Sequence, residues 1–435
     1  MGDAPVAQAC GGVALVTLGC KVNQTESEAI AGQLASAGVS AVAGDAPASV
    51  IVINTCTVTA EADVKARKAI RRALELPGEP RVIVTGCLAT IDPEGVASLG
   101  DRVTVEPDKA RVAAAALEGV ALDTAGRRDA AAVPVRDHRR ARVQVKVQDG
   151  CDAYCAYCIV PFARGVPRSI AAADVLAEVA RLHAEGVGEV VLTGINIGRY
   201  DDGGLGLSGL VERVVATGVR RLRISSIEPE DLTPGLLDAM RHPAVARHLH
   251  VPLQSGCDVT LSTMGRRYDT ARYADVVAGA RAALPGAAVT TDLLVGFPGE
   301  SDEHFERTLA FVRQIGPARL HVFRYSARPG TVAAALPDQV PAPVRAARSV
   351  TARALGDELT REWASTLVGS NADVLVERVA GGRAEGTSSE YVRVSFSVPD
   401  GAWVAVGDIE RVAVAASEGA VASGERIDPG SRARP

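Results

Sequence analysis

The chain has 435 residues, of which 47% are hydrophobic and 23% are charged, and it carries a formal net charge of −5. Its length corresponds to about three domains and its apolar content suffices for sizeable cores, which excludes a disordered chain and a small disulfide-stapled scaffold. Eight cysteines in a chain of this size indicate reduced thiols and metal binding, and the modest net charge means that any RNA contact must come from local basic patches.

Residues 1–12 are predicted to form an N-terminal tail, and Cys10 within it matches no metal-binding pattern. The opening stretch lacks the basic start and the uninterrupted apolar run of a secretory signal. No apolar run in the chain approaches the length that spans a membrane. These features lead us to expect a cytoplasmic protein with no membrane partner.

Residues 13–120 repeat one pattern three times: an apolar, β-branched run ends in a cysteine and is followed by a stretch of helical character. The cysteines are Cys20, Cys56 and Cys87. The repeats predict βα units of a flavodoxin- or Rossmann-like parallel sheet, in which the carboxyl ends of the strands share one edge. Three thiolates at that edge would hold a 4Fe–4S cluster with one iron left open. The alternative is three small buried residues at strand ends.

Two basic patches are candidates for RNA contact. Lys65, Lys68 and Arg72 share one face of the helix predicted after Cys56. A second group lies in the linker predicted for residues 121–142, and its members are Arg136, Arg139, Arg140 and Arg142. For both patches the alternative is an ordinary solvated charged surface.

The run GCDAYCAYCIVPFARG places three cysteines in a C-x-x-x-C-x-x-C spacing: Cys151, Cys155 and Cys158. Three closely set thiolates can hold a 4Fe–4S cluster and leave one iron free to bind the amino and carboxylate groups of S-adenosylmethionine (SAM). Such a cluster can pass one electron to the sulfonium and yield a 5′-deoxyadenosyl radical, so these cysteines are the predicted catalytic residues. A structural zinc site is the alternative, although zinc sites usually combine C-x-x-C pairs with a fourth Cys or His.

Strands and helices alternate through residues 143–365, and six apolar runs predict a partial α/β barrel of the (β/α)6 type. Ligands of such barrels bind at the carboxyl ends of the strands. Residues in the loops at those ends are therefore candidates for binding SAM: Gly194, Asn196, Ser226, Glu228 and Gln254. His248 and His250 alternate on one strand face, and we expect them to pack inside the barrel and not to bind metal.

Aromatic residues make up only 3% of the chain, so few side chains could stack on a nucleic-acid base. Tyr154, Tyr157 and Phe162 near the second cysteine set are candidates, with core packing as the alternative. Cys257 matches no cluster pattern, and we assign it no function.

Residues 366–418 contain short strands at close spacing, which predict a small β-barrel. This segment holds four arginines against eight acidic residues, so its net charge of about −4 does not favour a phosphate-binding role. We expect it to pack mainly against the central barrel. Residues 419–435 are predicted to be a loose tail.

Seven segments occur in the order in which one enzyme family carries them: TLGCKVNQTESE, NTCTVTAEADVKARKAIRR, GCDAYCAYCIVPFARG, LTGIN, SSIEP, HVPLQSG and GFPGES. Over about residues 13–365 the chain resembles the radical SAM methylthiotransferases, the group that contains MiaB, RimO and MtaB. TLGCKVNQ at residues 17–24, together with VQDGCDAYC and LTGINIG, is most similar to the MtaB branch.

The resemblance implies transfer of a methylthio group to carbon 2 of N6-threonylcarbamoyladenosine beside the anticodon of tRNA. It implies two 4Fe–4S clusters, one that carries or donates sulfur and one that generates the radical, and SAM both as methyl donor and as radical source. The implied cluster ligands are Cys20, Cys56 and Cys87 for the first cluster and Cys151, Cys155 and Cys158 for the second. The central segment would then be a radical SAM barrel and the C-terminal segment would stand in place of the TRAM domain, an RNA-binding module. The implied partners are tRNA, an electron donor such as flavodoxin or ferredoxin, and a sulfur donor.

Three other functions remain open at this point. A RimO-like enzyme would modify an aspartate of a ribosomal protein, and a MiaB-like enzyme would act on isopentenyladenosine in tRNA. The third is an iron–sulfur protein without turnover that binds RNA or senses redox state.

Overall fold

A computed structural model of the chain describes residues 12–43, 48–118, 120, 141–399 and 403–427. The chain divides into two compact units. The first contains residues 1–138 together with the short segments 158–165 and 326–330, and the second contains the rest. Most of the predicted N-terminal tail and linker lie outside the described residues, as do Cys10, Arg136, Arg139 and Arg140.

The first unit is built on a five-stranded sheet in the order β2-β1-β3-β4-β5, and all of its strand pairs are parallel. The third strand, VIVINT, is buried at every position, as a strand covered by helices on both faces must be. This confirms the predicted parallel-sheet domain. The strands are β1 Val13–Thr17, β2 Ala41–Ala43, β3 Val50–Thr55, β4 Arg81–Gly86 and β5 Val103–Val105. The helices are α1 Lys21–Ser36, α2 Ala60–Leu74, α3 Cys87–Ile91, α4 Pro93–Ala97, α5 Lys109–Leu117 and, from the segment 158–165, α6 Val160–Arg164.

The second unit contains the six strands predicted for the central barrel, namely β6, β9 and β12 to β15. They pair in parallel as β6-β9-β12 and β13-β14-β15, and isolated parallel bridges join β12 and the residues after it to the β13 segment. Their outward side chains form one core with the covering helices. The strands are β6 Arg142–Lys146, β7 Gln148–Asp149, β8 Arg168–Ser169, β9 Glu189–Thr193, β10 Asp201–Asp202, β11 Leu205–Gly206, β12 Leu222–Ile224, β13 His248–His250, β14 Ala288–Val295 and β15 Arg319–Arg324. The helices are α7 Ala172–Ala184, α8 Leu207–Ala216, α9 Pro234–Ala239, α10 Asp258–Thr263, α11 Thr270–Ala283, α12 Asp302–Ile315, α13 Val332–Ala335 and α14 Ala342–Ser365, with short 3-10 helices at Ile197–Arg199 and Pro229–Asp231.

The C-terminal part of the second unit is a closed five-stranded barrel in the order β16-β17-β18-β20-β19. Its last strand lies within residues 419–435, so the prediction of a loose tail beginning at residue 419 is wrong. The strand forms because alternate residues reach the apolar interior, where Ala422 is fully buried beside Val394 and Val412. The strands are β16 Asn371–Ala380, β17 Arg383–Ser388, β18 Arg393–Ser397, β19 Ile409–Glu418 and β20 Val421–Arg426.

A buried charge network joins the C-terminal barrel to the central barrel. Glu189 on β9 is fully buried, and its carboxylate binds the guanidinium groups of Arg142, Arg221 and Arg223. Arg221 also donates to the carbonyl oxygens of Asp373 and Thr387 at 3.0 and 3.1 Å. The C-terminal barrel therefore packs against the central barrel, as its acidic composition led us to expect.

Tyr391, in the turn between β17 and β18, reinforces this interface. Its ring stacks on His248 with centroids 4.2 Å apart, and the guanidinium of Arg223 lies 5.2 Å from its centroid. His248 is 5% exposed, which agrees with its predicted packing role.

Among the described residues, none of the helices is both long enough and apolar enough to cross a membrane.

Candidate active site

The three N-terminal cysteines directly follow neighbouring parallel strands. Cys20 follows β1 and caps α1, Cys56 follows β3, and Cys87 begins α3 immediately after β4. Pairing of these strands in register brings their carboxyl ends to one edge. Burial raises the pKa of the Cys56 thiol, and the neighbouring Cys87 and Cys20 sulfurs raise it further. The three sulfurs are thus electrostatic neighbours, and a metal that binds them must stabilise their thiolate forms.

Two glycines allow this close approach. Gly19 has a φ of +105°, and a Cβ on it would lie 2.5 Å from Cβ of Cys56. Gly86 has a φ of +92°, and a Cβ there would lie 2.3 Å from the carbonyl oxygen of Thr55. A larger residue at either position would displace the turn that carries a cysteine.

Asn23 joins the turns after β1 and β3. Its side-chain amide donates to the carbonyl oxygens of Leu18 and Thr55 at 2.7 and 3.0 Å. Asn54 donates in return to the carbonyl oxygen of Asn23 at 3.0 Å. Neither asparagine was among the predicted site residues, although NQ after Cys20 and NT before Cys56 are conspicuous polar pairs beside apolar strands.

A buried cation and a partly buried one lie beside these cysteines within the first unit. Arg164 on α6 donates to Glu26 at 2.8 Å and to Oδ1 of Asn23 at 2.7 Å, and its side chain is 3% exposed. Lys109 pairs with the same Glu26. Burial raises the pKa of the Cys87 thiol, whereas Arg164 and Lys109 oppose that rise. Sequence reasoning missed both cations because they lie far from the cysteines along the chain.

Along the chain, the C-x-x-x-C-x-x-C loop follows β7 and precedes α6. Burial raises the pKa of the Cys151 thiol, while hydrogen bonds from the Ala153 backbone and the Asn196 side chain lower it. Arg266 donates from Nη1 to Sγ of Cys155 at 3.3 Å. Cys158 completes the motif two residues before α6.

Gln148 fastens this loop to the loop after β9. Its amide nitrogen donates to the carbonyl oxygens of Asp149 and Gly150, and its Oε1 accepts from the backbone of Ile195 and Asn196 at 3.2 and 2.8 Å. Gly194 permits the approach, because a Cβ there would lie 2.9 Å from the carbonyl oxygen of Gln148. Gln148 was not among the predicted site residues.

A small open pocket adjoins the cysteine loop, and Cys155, Asn196, Glu228, Asp231 and Arg266 are among its lining residues. Asn196 is 7% exposed, and its Oδ1 has no hydrogen-bond partner among the described residues. Glu228 pairs with Arg266. Burial raises the pKa of Glu228, and Arg266 opposes that rise. The pocket therefore offers an unused acceptor and an ion pair to a polar ligand such as SAM.

The other predicted SAM residues have backbone roles. Ser226 forms a parallel bridge with His250, and Gln254 forms one with Leu293. Gln254 has a φ of +69°, a left-handed conformation that ends the strand segment. Neither residue is among those that line the pocket in the described part of the chain.

The basic residues of the first unit separate into two groups. Lys65, Lys68 and Arg72 are exposed on α2, as expected for a patch that could meet RNA. Arg67 instead pairs with Asp92 and donates to the carbonyl oxygen of Gly95 at 2.9 Å.

Arg142 was grouped with the linker arginines as a candidate for RNA contact, and that assignment is wrong. It belongs to β6, where its guanidinium pairs with Glu189 and with Glu377 at 2.5 and 3.1 Å. It therefore serves the interface between the two barrels.

The stacking candidates differ in exposure. Tyr154 and Phe162 are 58% and 52% exposed. Tyr157 packs edge-on against Phe297 with ring centroids 6.5 Å apart. Core packing thus describes Tyr157 but not the other two.

Comparison with known proteins agrees with this architecture. The description "Radical SAM superfamily" matches residues 145–312, and "Uncharacterized protein family UPF0004" matches residues 12–105. A solved structure of the radical S-adenosylmethionine methyltransferase TsrM from Kitasatospora setae, with cobalamin and a 4Fe-4S cluster bound, has a similar fold. Its TM-score is 0.55 at 15% identity, over 86% of this chain and 81% of that chain.

Curated relatives cover nearly the whole chain. The threonylcarbamoyladenosine tRNA methylthiotransferase MtaB of Chlamydia pneumoniae is 37% identical over 90% of this chain and 93% of its own length, and the same-named protein of Bacillus subtilis is 36% identical over 88% and 90%. The tRNA-2-methylthio-N(6)-dimethylallyladenosine synthase of Acidothermus cellulolyticus is 36% identical over 88% of this chain and 80% of its own length. The expected cofactors, SAM and 4Fe–4S clusters, are those of this enzyme class. The chain therefore belongs to the radical SAM methylthiotransferase family of enzymes.

Proposed function

We propose that this enzyme adds a methylthio group to carbon 2 of N6-threonylcarbamoyladenosine beside the anticodon of tRNA. The observation that carries the proposal is the presence of two three-cysteine sets in one chain, one at the strand edge of the first unit and one in the C-x-x-x-C-x-x-C loop. Three relatives at 35–37% identity bear the threonylcarbamoyladenosine name, which supports this substrate. The relative of Acidothermus, at 36%, keeps dimethylallyladenosine as the second candidate.

The N-terminal cysteines fit a cluster. Cys20, Cys56 and Cys87 meet at one edge, the glycines beside them leave no room for a Cβ, and Arg164 and Lys109 provide positive charge where thiolates and sulfide would add negative charge. We propose these three cysteines as ligands of the sulfur-carrying cluster, and Cys151, Cys155 and Cys158 as ligands of the radical-generating one. When bound, the clusters and SAM supply the 5′-deoxyadenosyl radical, the transferred sulfur and the methyl group.

Radical chemistry suits this substrate because carbon 2 of adenine bears an unactivated C–H bond that no acid or base here could usefully ionise. The side chains of this protein would position SAM and supply charged groups that bind it. Asn196 would accept a hydrogen bond from the amino group of SAM at its otherwise unpartnered Oδ1. Glu228 and Arg266 would bind polar groups of the same molecule, and Gly194 would admit its close approach.

Contact with RNA is proposed for Lys65, Lys68 and Arg72, which are exposed on α2. The C-terminal barrel would contribute mainly by packing. Arg221 and Arg223, which face it, already pair with Glu189 and donate hydrogen bonds to backbone carbonyl oxygens of that barrel. The proposal also includes a cytoplasmic location, an electron donor such as flavodoxin or ferredoxin, and a sulfur donor. It retains the TRAM-like identity predicted for residues 366–418 and extends it to the last strand of the barrel, Val421–Arg426.

The test is single-turnover chemistry with defined RNA. Reduced protein that carries both clusters is mixed with methyl-deuterated SAM and with anticodon stem–loops that carry either threonylcarbamoyladenosine or dimethylallyladenosine. Mass spectrometry should find a deuterated methylthio group on the first RNA, and the Cys56→Ala variant should still form 5′-deoxyadenosine but no methylthio product. Product on the dimethylallyl RNA alone would establish the second candidate.

A further inference from the structure

Three side chains on neighbouring strands of the central barrel form a hydrogen-bonded cluster that has no role in the chemistry above. Asp292 on β14 lies between His250, at the end of β13, and His321 on β15. Its Oδ1 is 3.2 Å from Nε2 of His250 and 3.2 Å from Nδ1 of His321. The centroids of the two imidazole rings are 5.3 Å apart. These three residues are named the His–Asp–His cluster below.

The cluster faces the interior of the central barrel. Strand pairing sets Asp292 opposite His321, while the alternate residues Leu293 and Leu320 belong to the core beneath the helices. Side chains of a strand alternate between its two faces, so the cluster lies on the face opposite that core.

The cluster also lies toward the end of the barrel that holds the SAM pocket. His250 bridges to Ser226, and Glu228, two residues further on, lines that pocket. A substrate that reaches into the barrel past SAM would therefore approach these side chains.

The cluster is accessible and charged. The side chains of His321 and Asp292 are 36% and 21% exposed. Burial would raise the pKa of Asp292, but hydrogen bonds from His250 and His321 lower it to about 2, so the carboxylate is ionised at neutral pH. Both imidazoles consequently present an N–H to it, and Nδ1 of His250 is fixed by Thr290 at 2.9 Å.

An aromatic ring stands next to the cluster. Phe323 is two residues nearer the carboxyl end of β15, on the same face as His321, and it is 49% exposed. An exposed ring at this place can stack on a purine base. A base stacked on Phe323 would direct its N6 substituent either toward the open end of the central barrel or toward the His–Asp–His cluster.

We propose that the His–Asp–His cluster is the subsite for the group on the N6 nitrogen of the target adenosine, and that it selects a group bearing a carboxylate. Nδ1 of His321 lies against Asp292, so an imidazolium formed at His321 when the substrate binds would bridge two carboxylates, donating from Nδ1 to Asp292 and from Nε2 to the carboxylate of the substrate. The hydroxyl and urea groups of threonylcarbamoyl can use the remaining hydrogen-bonding capacity. A dimethylallyl group is a hydrocarbon, and it would cover an ionised carboxylate and two imidazoles without any compensating hydrogen bond.

This inference rests on the proposed function, since it assumes that a modified adenosine enters this barrel. The experiment measures binding by fluorescence anisotropy with the cluster-loaded protein in the absence of reductant. Three anticodon stem–loops are used that differ only at the target adenosine, which carries threonylcarbamoyl, dimethylallyl or no group. We expect the wild type to bind the threonylcarbamoyl RNA at least about tenfold more tightly than the dimethylallyl RNA, because a site built for polar groups rejects an analogue that lacks them.

The variants are His321→Leu and Asp292→Asn, with His183→Leu on the exposed face of α7 as the matched control. Both cluster variants should reduce the preference to within about threefold, and His321→Leu should also bind the dimethylallyl RNA more tightly than the wild type does. The control should keep the wild-type preference. Iron content and RNA-independent cleavage of SAM report whether each variant retains its fold and cofactors, and His321→Gln replaces His321→Leu if the latter loses iron.

The experiment distinguishes failure of the proposed function from failure of the proposed subsite. A wild type that prefers the dimethylallyl or the unmodified RNA overturns the proposed function. A wild type that prefers the threonylcarbamoyl RNA, with the preference intact in both cluster variants, overturns the subsite alone. One extra zinc or iron per chain that both variants lose would make the cluster a metal site, and this result would also overturn the proposal.

Discussion

Arg266 donates a hydrogen bond from its guanidinium to the sulfur of Cys155 at 3.3 Å. The same guanidinium pairs with Glu228, and it lies 4.9 Å from the ring centroid of Tyr268. One cation therefore connects a predicted cluster ligand to the SAM pocket, although it is 111 residues away from that ligand along the chain.

The first prediction concerns this hydrogen bond. Replacing Arg266 with Met removes a positive charge and a donor at a cluster thiolate, so the reduction potential of the radical-generating cluster should fall. SAM cleavage should slow about 10- to 100-fold, as is usual when the hydrogen-bond partner of a metal ligand is removed. Potentiometric titration followed by electron paramagnetic resonance measures the shift. An unchanged potential in a fully loaded variant would contradict a tuning role, and Arg272→Met on α11 is the control.

Iron content tests the two ligand sets. Wild-type protein reconstituted without oxygen should hold about eight irons per chain, and Cys20→Ala, Cys56→Ala or Cys87→Ala should each lower this to about four. These variants should still cleave SAM, whereas Cys151→Ala should not. The buried Cys257 supplies the control, because Cys257→Ala should keep all of its iron. Equal iron in Cys87→Ala and Cys257→Ala would refute the N-terminal ligand set.

Asn196 gives a prediction about SAM affinity. The Asn196→Ala variant should weaken SAM binding about tenfold, because it removes one hydrogen bond to the amino group of SAM. Equilibrium binding to the cluster-loaded protein measures the dissociation constant. The exposed Asn371, at the start of β16, provides the control variant Asn371→Ala. A dissociation constant unchanged in Asn196→Ala would remove this residue from the SAM site.

Glu189 predicts a dependence of stability on pH. Burial alone would raise its pKa, but Arg223, Arg221 and Arg142 together lower it to about 2 in the folded protein. Because the folded pKa lies below the unfolded value of about 4.3, the stabilisation is complete above that value and is lost as the pH falls from about 4.5 toward 2. Thermal unfolding followed at a series of pH values should show this loss.

The Glu189→Gln variant should lose about 3–5 kcal/mol at neutral pH, because it leaves the buried Arg221 and Arg223 without their carboxylate partner. Its pH dependence below about 4.5 should be correspondingly flatter. Glu178→Gln, which removes a partly exposed pair with Arg181, should cost less than about 1 kcal/mol. Similar losses in the two variants would show that the buried network does not hold the C-terminal barrel in place.

The basic face of α2 predicts a salt effect. Combined replacement of Lys65, Lys68 and Arg72 with Ala should weaken tRNA binding and reduce the slope of log affinity against log salt by about 0.9 for each phosphate that the variant no longer neutralises. SAM cleavage without RNA should be unchanged. Arg353→Ala with Arg361→Ala, on the exposed side of α14, is the control. A salt slope equal to that of the wild type would place the RNA interface elsewhere.

Much of the fold could be predicted from local patterns. Each of the six barrel strands is a short apolar run at the predicted place, and the first unit repeats a strand, a cysteine and a helix. The fifth strand of the C-terminal barrel, VASGER, was missed because its glycine, serine and charged residues do not resemble a strand. Pairing with β18 and β19 supplies the backbone hydrogen bonds that its composition does not indicate.

The sites were predictable only where the chemistry is local in sequence. The cysteine sets and the polar loops after strands could be located, since spacing and strand ends mark them. Arg164, Lys109 and Arg266 could not, because a charged side chain in a helix or loop carries no signal of the sulfur that it meets after folding. The same reason hid the His–Asp–His cluster, whose members lie on three different strands and meet only through the pairing of β13, β14 and β15.

The most direct test of the proposed function is mass spectrometry of tRNA nucleosides from cells with and without this gene. We predict that 2-methylthio-N6-threonylcarbamoyladenosine disappears without the gene and that its unthiolated precursor accumulates. The gene should restore the modified nucleoside, whereas its Cys56→Ala variant should not. Loss of the 2-methylthio derivative of dimethylallyladenosine instead, or tRNA nucleosides that are unchanged, would contradict the proposed function.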